Sequence, residues 1–153
     1  MKITAPFGPI WLDADHKGLT LVSFFELKNH QTNSFTEQAA KELIDYFSGE
    51  RTHFTVPLSI QSGTEFQRKV WAALTQIPYG KTCSYLEIAQ AIGSPKAVRA
   101  IGQANSKNPL PIIVPCHRVI GKNGQLTGYL GSSEHDGLSI KMFLLQVENG
   151  LLD

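Results

Sequence analysis

Pro111-Ile112-Ile113-Val114-Pro115-Cys116-His117-Arg118-Val119-Ile120 is the stretch on which the reading of this chain turns. Its β-branched run reads as a buried strand. The run stops at a proline; a thiol, an imidazole and a guanidinium follow, and then Val119 and Ile120 resume the apolar pattern. Alanine or valine would fill such core positions without the desolvation cost of polar side chains. Cys116 is therefore a candidate nucleophile. The competing reading is a buried cysteine acting as a small hydrophobe.

A thiol with a pKa of ~8.5 is only a few per cent ionised at neutral pH, so a working nucleophile needs its thiolate favoured. His117 is adjacent, but neighbouring side chains on a strand point to opposite faces. On a helix they stand roughly 100° apart. A Cys116–His117 partnership therefore requires a turn, which Pro115 favours, or an intervening water. A water relay would make His117 a general base, with a carboxylate orienting its other nitrogen. Glu148, at the end of the last predicted helix, is one candidate among the acids of the chain.

Working outward, the 153 residues are enough for one domain or two small lobes sharing an interface. No apolar run reaches the ~18–20 residues of a membrane span, and the N-terminal residues lack a signal-peptide core. Cys83 and Cys116 have no metal-ligand spacing, so a cytoplasmic protein with reduced thiols is expected. Cys83 reads as a small buried hydrophobe. The net charge of +1 carries no argument, but its distribution does. Between Glu87 and Glu134 there is no acidic residue, whereas Lys96, Arg99, Lys107, Arg118 and Lys122 all fall there. This is either a basic zone for a polyanionic substrate or an ordinary solvated face.

Residues 1–27 read as β, with strands over Ile10–Ala14 and Leu19–Phe25 joined by a turn at Asp15–Gly18. Thr36–Phe47 reads as a helix with a Ser34/Glu37 capping box and an Ala40, Leu43, Ile44, Phe47 stripe. Alternation at Phe54, Val56 and Leu58 predicts another strand. Gln61-Ser62-Gly63 is the expected boundary between a lobe of residues 1–62 and a more helical lobe of residues 63–153. In the second lobe Thr64/Gln67 and Ser84/Glu87 have capping-box spacing. The first opens a helix with Phe66, Val70, Trp71 and Leu74 apolar, and the second a short one with Leu86, Ile88, Ala89 and Ile92 apolar. Gly93 ends the short helix, and Ser94-Pro95 has the form of an N-cap followed by proline at the first helical position. The next helix would turn Val98, Ile101 and Ala104 to the core and Lys96, Arg99 and Gln103 to another face. The pair has helix-turn-helix spacing, and an αα-hairpin with a solvated polar face fits equally. Gly121–Gly124 reads as a turn, and Ile140–Val147 as a final helix.

Taken together these segments resemble the O6-alkylguanine-DNA alkyltransferases, the methylated-DNA–protein-cysteine methyltransferases. The resemblance runs from Gly63 to about Gly150. It rests on Gly63–Leu74, Ile77–Thr82, Ser84-Tyr85, Ala97–Gly102, Ala104-Asn105, Asn108-Pro109, Ile113–Ile120, Gly128-Tyr129, and Leu144-Leu145 with Glu148. The first 60 or so residues match loosely and resemble the family's N-terminal lobe in short form, without cysteines for a structural zinc. The resemblance implies an α+β fold: a small ribonuclease H-like sheet-and-helix lobe, then a mainly helical lobe with a winged helix-turn-helix-like element.

It also implies a chemistry. Cys116 would take the alkyl group from guanine O6, and from O4-alkylthymine, once and irreversibly. His117 would be the water-mediated base, Glu148 its orienter, Asn108 the brace of the active-site turn, and Tyr85 a donor to the purine. Double-stranded DNA would be bound from the minor groove with the damaged base flipped out. Arg99 would fill the vacated stack, aided by Tyr85, Ser84, Lys96, Ala97, Ala100, Gly102 and Gln103. Val119, Pro111, Tyr129, Leu130 and Gly131 would line the base pocket. Arg118 would be structural or a phosphate contact. A monomer is implied, with no metal, no diffusible cofactor, no membrane association and no obligate protein partner. The chain departs from the family pattern after Gly131, where the loop is about five residues longer. A DNA-lesion binder without transfer activity and a cysteine hydrolase are the competing functions.

Overall fold

The computed structural model describes residues 1–121 and 135–150. The architecture is α+β. In the N-terminal lobe β1 (Lys2–Ala5), β2 (Gly8–Ala14) and β3 (Leu19–Ser23) form an antiparallel sheet in that order. Ile3, Ala5, Ile10, Leu12, Ala14, Leu19 and Val22 are buried, mostly at the alternate positions that a sheet with one covered face demands. The covering element is α1 (Ser34–Phe47), which buries Ala39, Ala40, Leu43, Tyr46 and Phe47.

Several expectations for this lobe change. β1 is an additional strand. The cap of α1 is Asn33 rather than Ser34: its side chain accepts from the Phe35 and Thr36 amides, and Thr36 Oγ1 accepts from the Asn33 amide at 2.9 Å. Ile44 is exposed, and Tyr46 takes the buried place on the stripe. Residues 54–58 contribute only a bridge from Leu58 to Leu19. The amides of Thr55 and Val56 instead donate to the buried carboxylate of Glu42, at 2.8 and 3.1 Å, which removes them from any ladder. Gly18 lets this segment approach β3, since a Cβ there would lie 2.5 Å from the Pro57 carbonyl oxygen.

The second lobe opens at Gly63, whose φ of +101° and close approach to the Trp71 ring leave no room for a side chain. α2 (Glu65–Leu74) follows with the Thr64/Gln67 capping box. Trp71 Nε1 donates to the Ala104 carbonyl at 2.9 Å, tying α2 to α4 (Val98–Ser106). Between them lie the short strand β4 (Cys83–Ser84) and α3 (Tyr85–Ala91), which the Ser84/Glu87 box caps. Ser94 does not cap α4. Residues 94–97 make a turn closed by the Ala97 amide on the Ser94 carbonyl at 2.9 Å, and the helix begins after it. Ile101 and Ala104 face the core as expected, but Val98 and Leu86 are exposed.

The largest correction falls on 111–114, which is a tight turn rather than a strand. Val114 N donates to Leu110 O at 2.8 Å, and Ile112 has a φ of +76°. That left-handed conformation is strained for a β-branched residue and persists only where its surroundings impose it. Asn108 imposes it: Nδ2 donates to Val114 O and Oδ1 accepts from Leu110 N, both at 2.9 Å. Apolar burial alone therefore did not require extended backbone here; Leu110, Ile112 and Val114 are buried in the turn. Cys116–Arg118 then form one turn of 3₁₀-helix. Only Val119–Ile120 are extended, as β5, parallel to β4 with Cys83 opposite Val119 and Ser84 opposite Ile120. The last helix, α5 (His135–Glu148), begins earlier than the apolar pattern indicated and buries Lys141, Leu144, Val147 and Glu148. The expected turn at 121–124 lies largely outside the described residues. So do the longer loop and Tyr129, Leu130 and Gly131. Among the described residues no helix is long and apolar enough to cross a membrane.

Candidate active site

Cys116 is the first residue of the 3₁₀ turn and is buried. Its amide donates to Val114 O at 2.7 Å and its carbonyl accepts from Asn105 Nδ2 at 3.3 Å. The backbone bearing the thiol is thus held by the turn that Asn108 braces and by α4. A 3₁₀ turn advances ~120° per residue, so three successive side chains leave in three directions. His117 and Arg118 both reach Glu148 on α5.

Glu148 is the hub. Oε2 lies 2.6 Å from His117 Nε2 and accepts from Tyr46 Oη at 2.5 Å and from an Arg118 terminal nitrogen at 3.0 Å. Oε1 accepts from Arg118 Nε at 2.8 Å and from the Gly80 amide at 3.2 Å. Burial alone would raise this carboxyl, but the hydrogen bonds from His117, Arg118 and Tyr46 and the charge beside it hold it down at about 2. The other terminal nitrogen of Arg118 donates to Ile77 O at 2.6 Å. With its guanidinium buried and engaged in this way, Arg118 is structural, and the alternative of a phosphate contact falls.

A carboxylate only accepts, so Nε2 of His117 carries the proton of the neutral ring and Nδ1 is left as the acceptor. Nδ1 is buried and has no hydrogen-bond partner among the described residues. Complete burial lowers the pKa of His117, assisted by Arg118 and Lys141 and opposed by Glu148. The ring therefore rests neutral, with a lone pair available.

Lys141 is a second buried charge that the sequence reading overlooked. Its Nζ donates to Val119 O at 2.7 Å. Burial pushes it down to about 8, and the Cys116 sulfur acts in the opposite sense. A cation at this position favours a thiolate nearby. Cys83 stands in contrast: burial, then Glu87, push its thiol up to about 11. Tyr46 and Asn105 were also missed. Lys141 and Glu148 share one helix face with Leu144 at i, i+3, i+7, a spacing that could have exposed the pair. Tyr46 follows Ala39 and Leu43 on the buried stripe of α1, which marks burial but not chemistry.

The structure brings Cys116, His117, Asn108 and Glu148 together. Lys96, Arg99 and Gln103 lie elsewhere, exposed at and along α4, with Ala97 and Ala100 half-buried beside them. Tyr85 is half-buried at the start of α3, and Gly102 on α4 lies beside its ring, with room there for a Cβ at ordinary contact distance. Ser84 Oγ accepts from the Glu87 amide at 3.1 Å as the cap of α3. Pro111 and Val119 are buried beside the thiol turn. Among the described residues no group of three metal-binding side chains is assembled.

Two family models match. Residues 2–60 match the ribonuclease-like domain of 6-O-methylguanine DNA methyltransferase, and residues 65–150 match its DNA binding domain. A methylated-DNA–protein-cysteine methyltransferase of Methanosarcina acetivorans is 49% identical over 152 residues, covering 94% of each chain. The constitutive methylated-DNA–protein-cysteine methyltransferase of Bacillus subtilis is 58% identical over 119 residues, covering 78% of this chain and 69% of its own. Among solved structures, Mycobacterium tuberculosis OGT in complex with DNA superposes with a TM-score of 0.87 at 44% identity, over 97% of this chain and 91% of that one.

Proposed function

The chain belongs to the 6-O-methylguanine DNA methyltransferase family, and on that premise we propose that Cys116 is the acceptor of the alkyl group. The activity is that of a methylated-DNA–protein-cysteine methyltransferase: a DNA-binding protein that repairs DNA by direct reversal. The observation supporting Cys116 is the orphaned Nδ1 of His117, with Nε2 held on Glu148, one residue from the thiol. A water between Sγ and Nδ1 would satisfy that acceptor and carry the thiol proton to it. Sγ then attacks the alkyl carbon on guanine O6. The S–C bond forms, the C–O bond breaks, and the electron pair stays on the purine, which takes up a proton from Tyr85; solvent then reprotonates Tyr85 as His117 releases the thiol proton to it. Guanine is restored, and Cys116 keeps a thioether with no leaving group, so one molecule acts once. The step balances without a metal or redox partner.

DNA approaches the α3–α4 face from the minor groove. The damaged base flips out, because its O6 is out of reach within the stack. Arg99 fills the gap, and Tyr85, Ser84, Lys96, Ala97, Ala100, Gly102 and Gln103 lie against the backbone and groove. Val119 and Pro111, with Tyr129, Leu130 and Gly131, bound the base, and O4-alkylthymine is a second substrate. The working unit is a cytoplasmic monomer with its two lobes dividing at residue 62. Intact-mass spectrometry after incubation with O6-methylguanine duplex tests this reading. One added methylene, mapped to the Cys116 peptide and lost in Cys116→Ala, is expected. Binding with no mass gain would instead identify a lesion binder, and repeated turnover of an ester a hydrolase.

A further inference from the structure

Tyr46 is fully buried and belongs to the N-terminal lobe, yet its hydroxyl ends on the carboxylate that serves the thiol turn. The contact is 2.5 Å to Glu148 Oε2, the same oxygen that faces His117 Nε2, with the hydroxyl 3.4 Å from that nitrogen. A packing role would be met by phenylalanine; Phe47, Phe54 and Tyr79 already surround the ring. A buried phenol beside a carboxylate stays protonated, and burial and Glu148 both push Tyr46 that way. It is therefore a permanent donor.

We propose that Tyr46 is a positioning residue for alkyl transfer: its hydroxyl fixes the Glu148 carboxylate on His117 and shares the charge of Oε2, so that the imidazole rests neutral with Nδ1 open. This builds on the reading of His117 as the base for Cys116. Every described group facing the pair enters the balance. Arg118 comes from the 3₁₀ turn, Lys141 from α5 with Cys116 facing it in turn, and Tyr79 and the Gly80 amide from the segment after α2. Arg118 and Lys141 oppose protonation of His117, and Glu148 favours it. Removing a donor from Glu148 leaves a stronger acceptor facing Nε2. His117 then gains a proton at a higher pH and its base form is lost sooner on acidification. The N-terminal lobe thereby sets the pH range over which the C-terminal lobe reacts.

The test is the single-turnover rate of methyl transfer from O6-methylguanine duplex, measured from pH 5.5 to 9 at saturating protein. Tyr46→Phe removes only the hydroxyl, and 3,5-difluorotyrosine at position 46, introduced by amber suppression, makes it a stronger donor at nearly constant shape. The acid limb is expected to move up in Tyr46→Phe by about half a unit to one unit, a ~3–10-fold loss below the limb, with convergence at alkaline pH. It is expected to move down in the fluorinated protein. In Glu148→Gln, adding Tyr46→Phe should move nothing further. Profiles that superpose on the wild type, or a uniform rate loss at every pH, would overturn the role of Tyr46 while leaving transfer to Cys116 standing. Absence of transfer in the wild type at any pH would instead break the reading beneath it.

Discussion

The thiol turn and the α3–α4 face sit in one lobe and are built by opposite rules. Around Cys116 five ionisable side chains are buried, His117, Glu148, Lys141, Arg118 and Tyr46, and most of their polar atoms are paired. On the outer face of α3–α4 Lys96, Arg99 and Gln103 are exposed. Charge in the first region is fixed by neighbours and is costly to disturb, whereas in the second it is solvated. On the proposed reading, chemistry that needs a set proton inventory is kept dry and recognition that needs counterion release is kept wet.

Substitutions should separate the two regions cleanly. Glu148→Ala is expected to have the largest effect, because it strands Arg118 and His117 without their acceptor: about 3–5 kcal/mol of stability in urea denaturation, with transfer abolished. A loss below ~1 kcal/mol would mean that the cluster is not one buried network.

The pH dependence of stability probes the same hub. Glu148 titrates at about 2 in the folded chain against 4.5 when unperturbed, so its contribution is complete above pH 4.5 and disappears as the pH falls towards 2. Urea midpoints should decline across that window in the wild type and less steeply in Glu148→Gln. Parallel curves would remove Glu148 from the account of acid unfolding.

Arg99→Ala should reverse the pattern seen for Glu148. Folding stability stays within ~0.5 kcal/mol, while transfer from duplex slows by an amount worth on the order of 1–3 kcal/mol, the scale of one stacked base. Transfer from O6-methylguanine as a free base should change far less, and equal losses on both substrates would place Arg99 in the chemistry instead. Lys96→Ala should have the smallest effect, visible as a fall of about 1 in the slope of log affinity against log salt. A slope that does not change would remove Lys96 from the phosphate contacts.

The same division explains what the sequence revealed. Local signals were legible: the Thr64/Gln67 and Ser84/Glu87 boxes are satisfied within four residues, and both are present. The alternation in β2 and β3 was legible for the same reason. Residues 111–114 were not, because β-branching records burial and the extended state has no monopoly on burial. Two hydrogen bonds made by the Asn108 side chain, one donated and one accepted, outweigh the strand preference of Ile112. Ser34 does not cap α1 because the same capping spacing recurs one position earlier at Asn33 and Thr36, and Ser94 does not cap α4 because the turn at 94–97 delays the helix to Val98, where it starts without a side-chain cap. Tyr46, Lys141 and Asn105 act across the fold. Tyr46 lies 102 residues from Glu148 along the chain, and no window of sequence contains both.

β4 and β5 pair through a ladder of only two rungs. Val119 leaves the thiol turn directly, and Ser84 runs directly into Tyr85. Cys116 and Tyr85, the first residue of the helix proposed to face DNA, are therefore clamped to the same short ruler. A slip of one residue in that ladder would shift Tyr85 by ~3.3 Å relative to Cys116 and turn the side chains over. In-line attack tolerates only a fraction of that distance. Two pairs of residues thus act as a gauge block, calibrating the reach of a reaction that each molecule performs once.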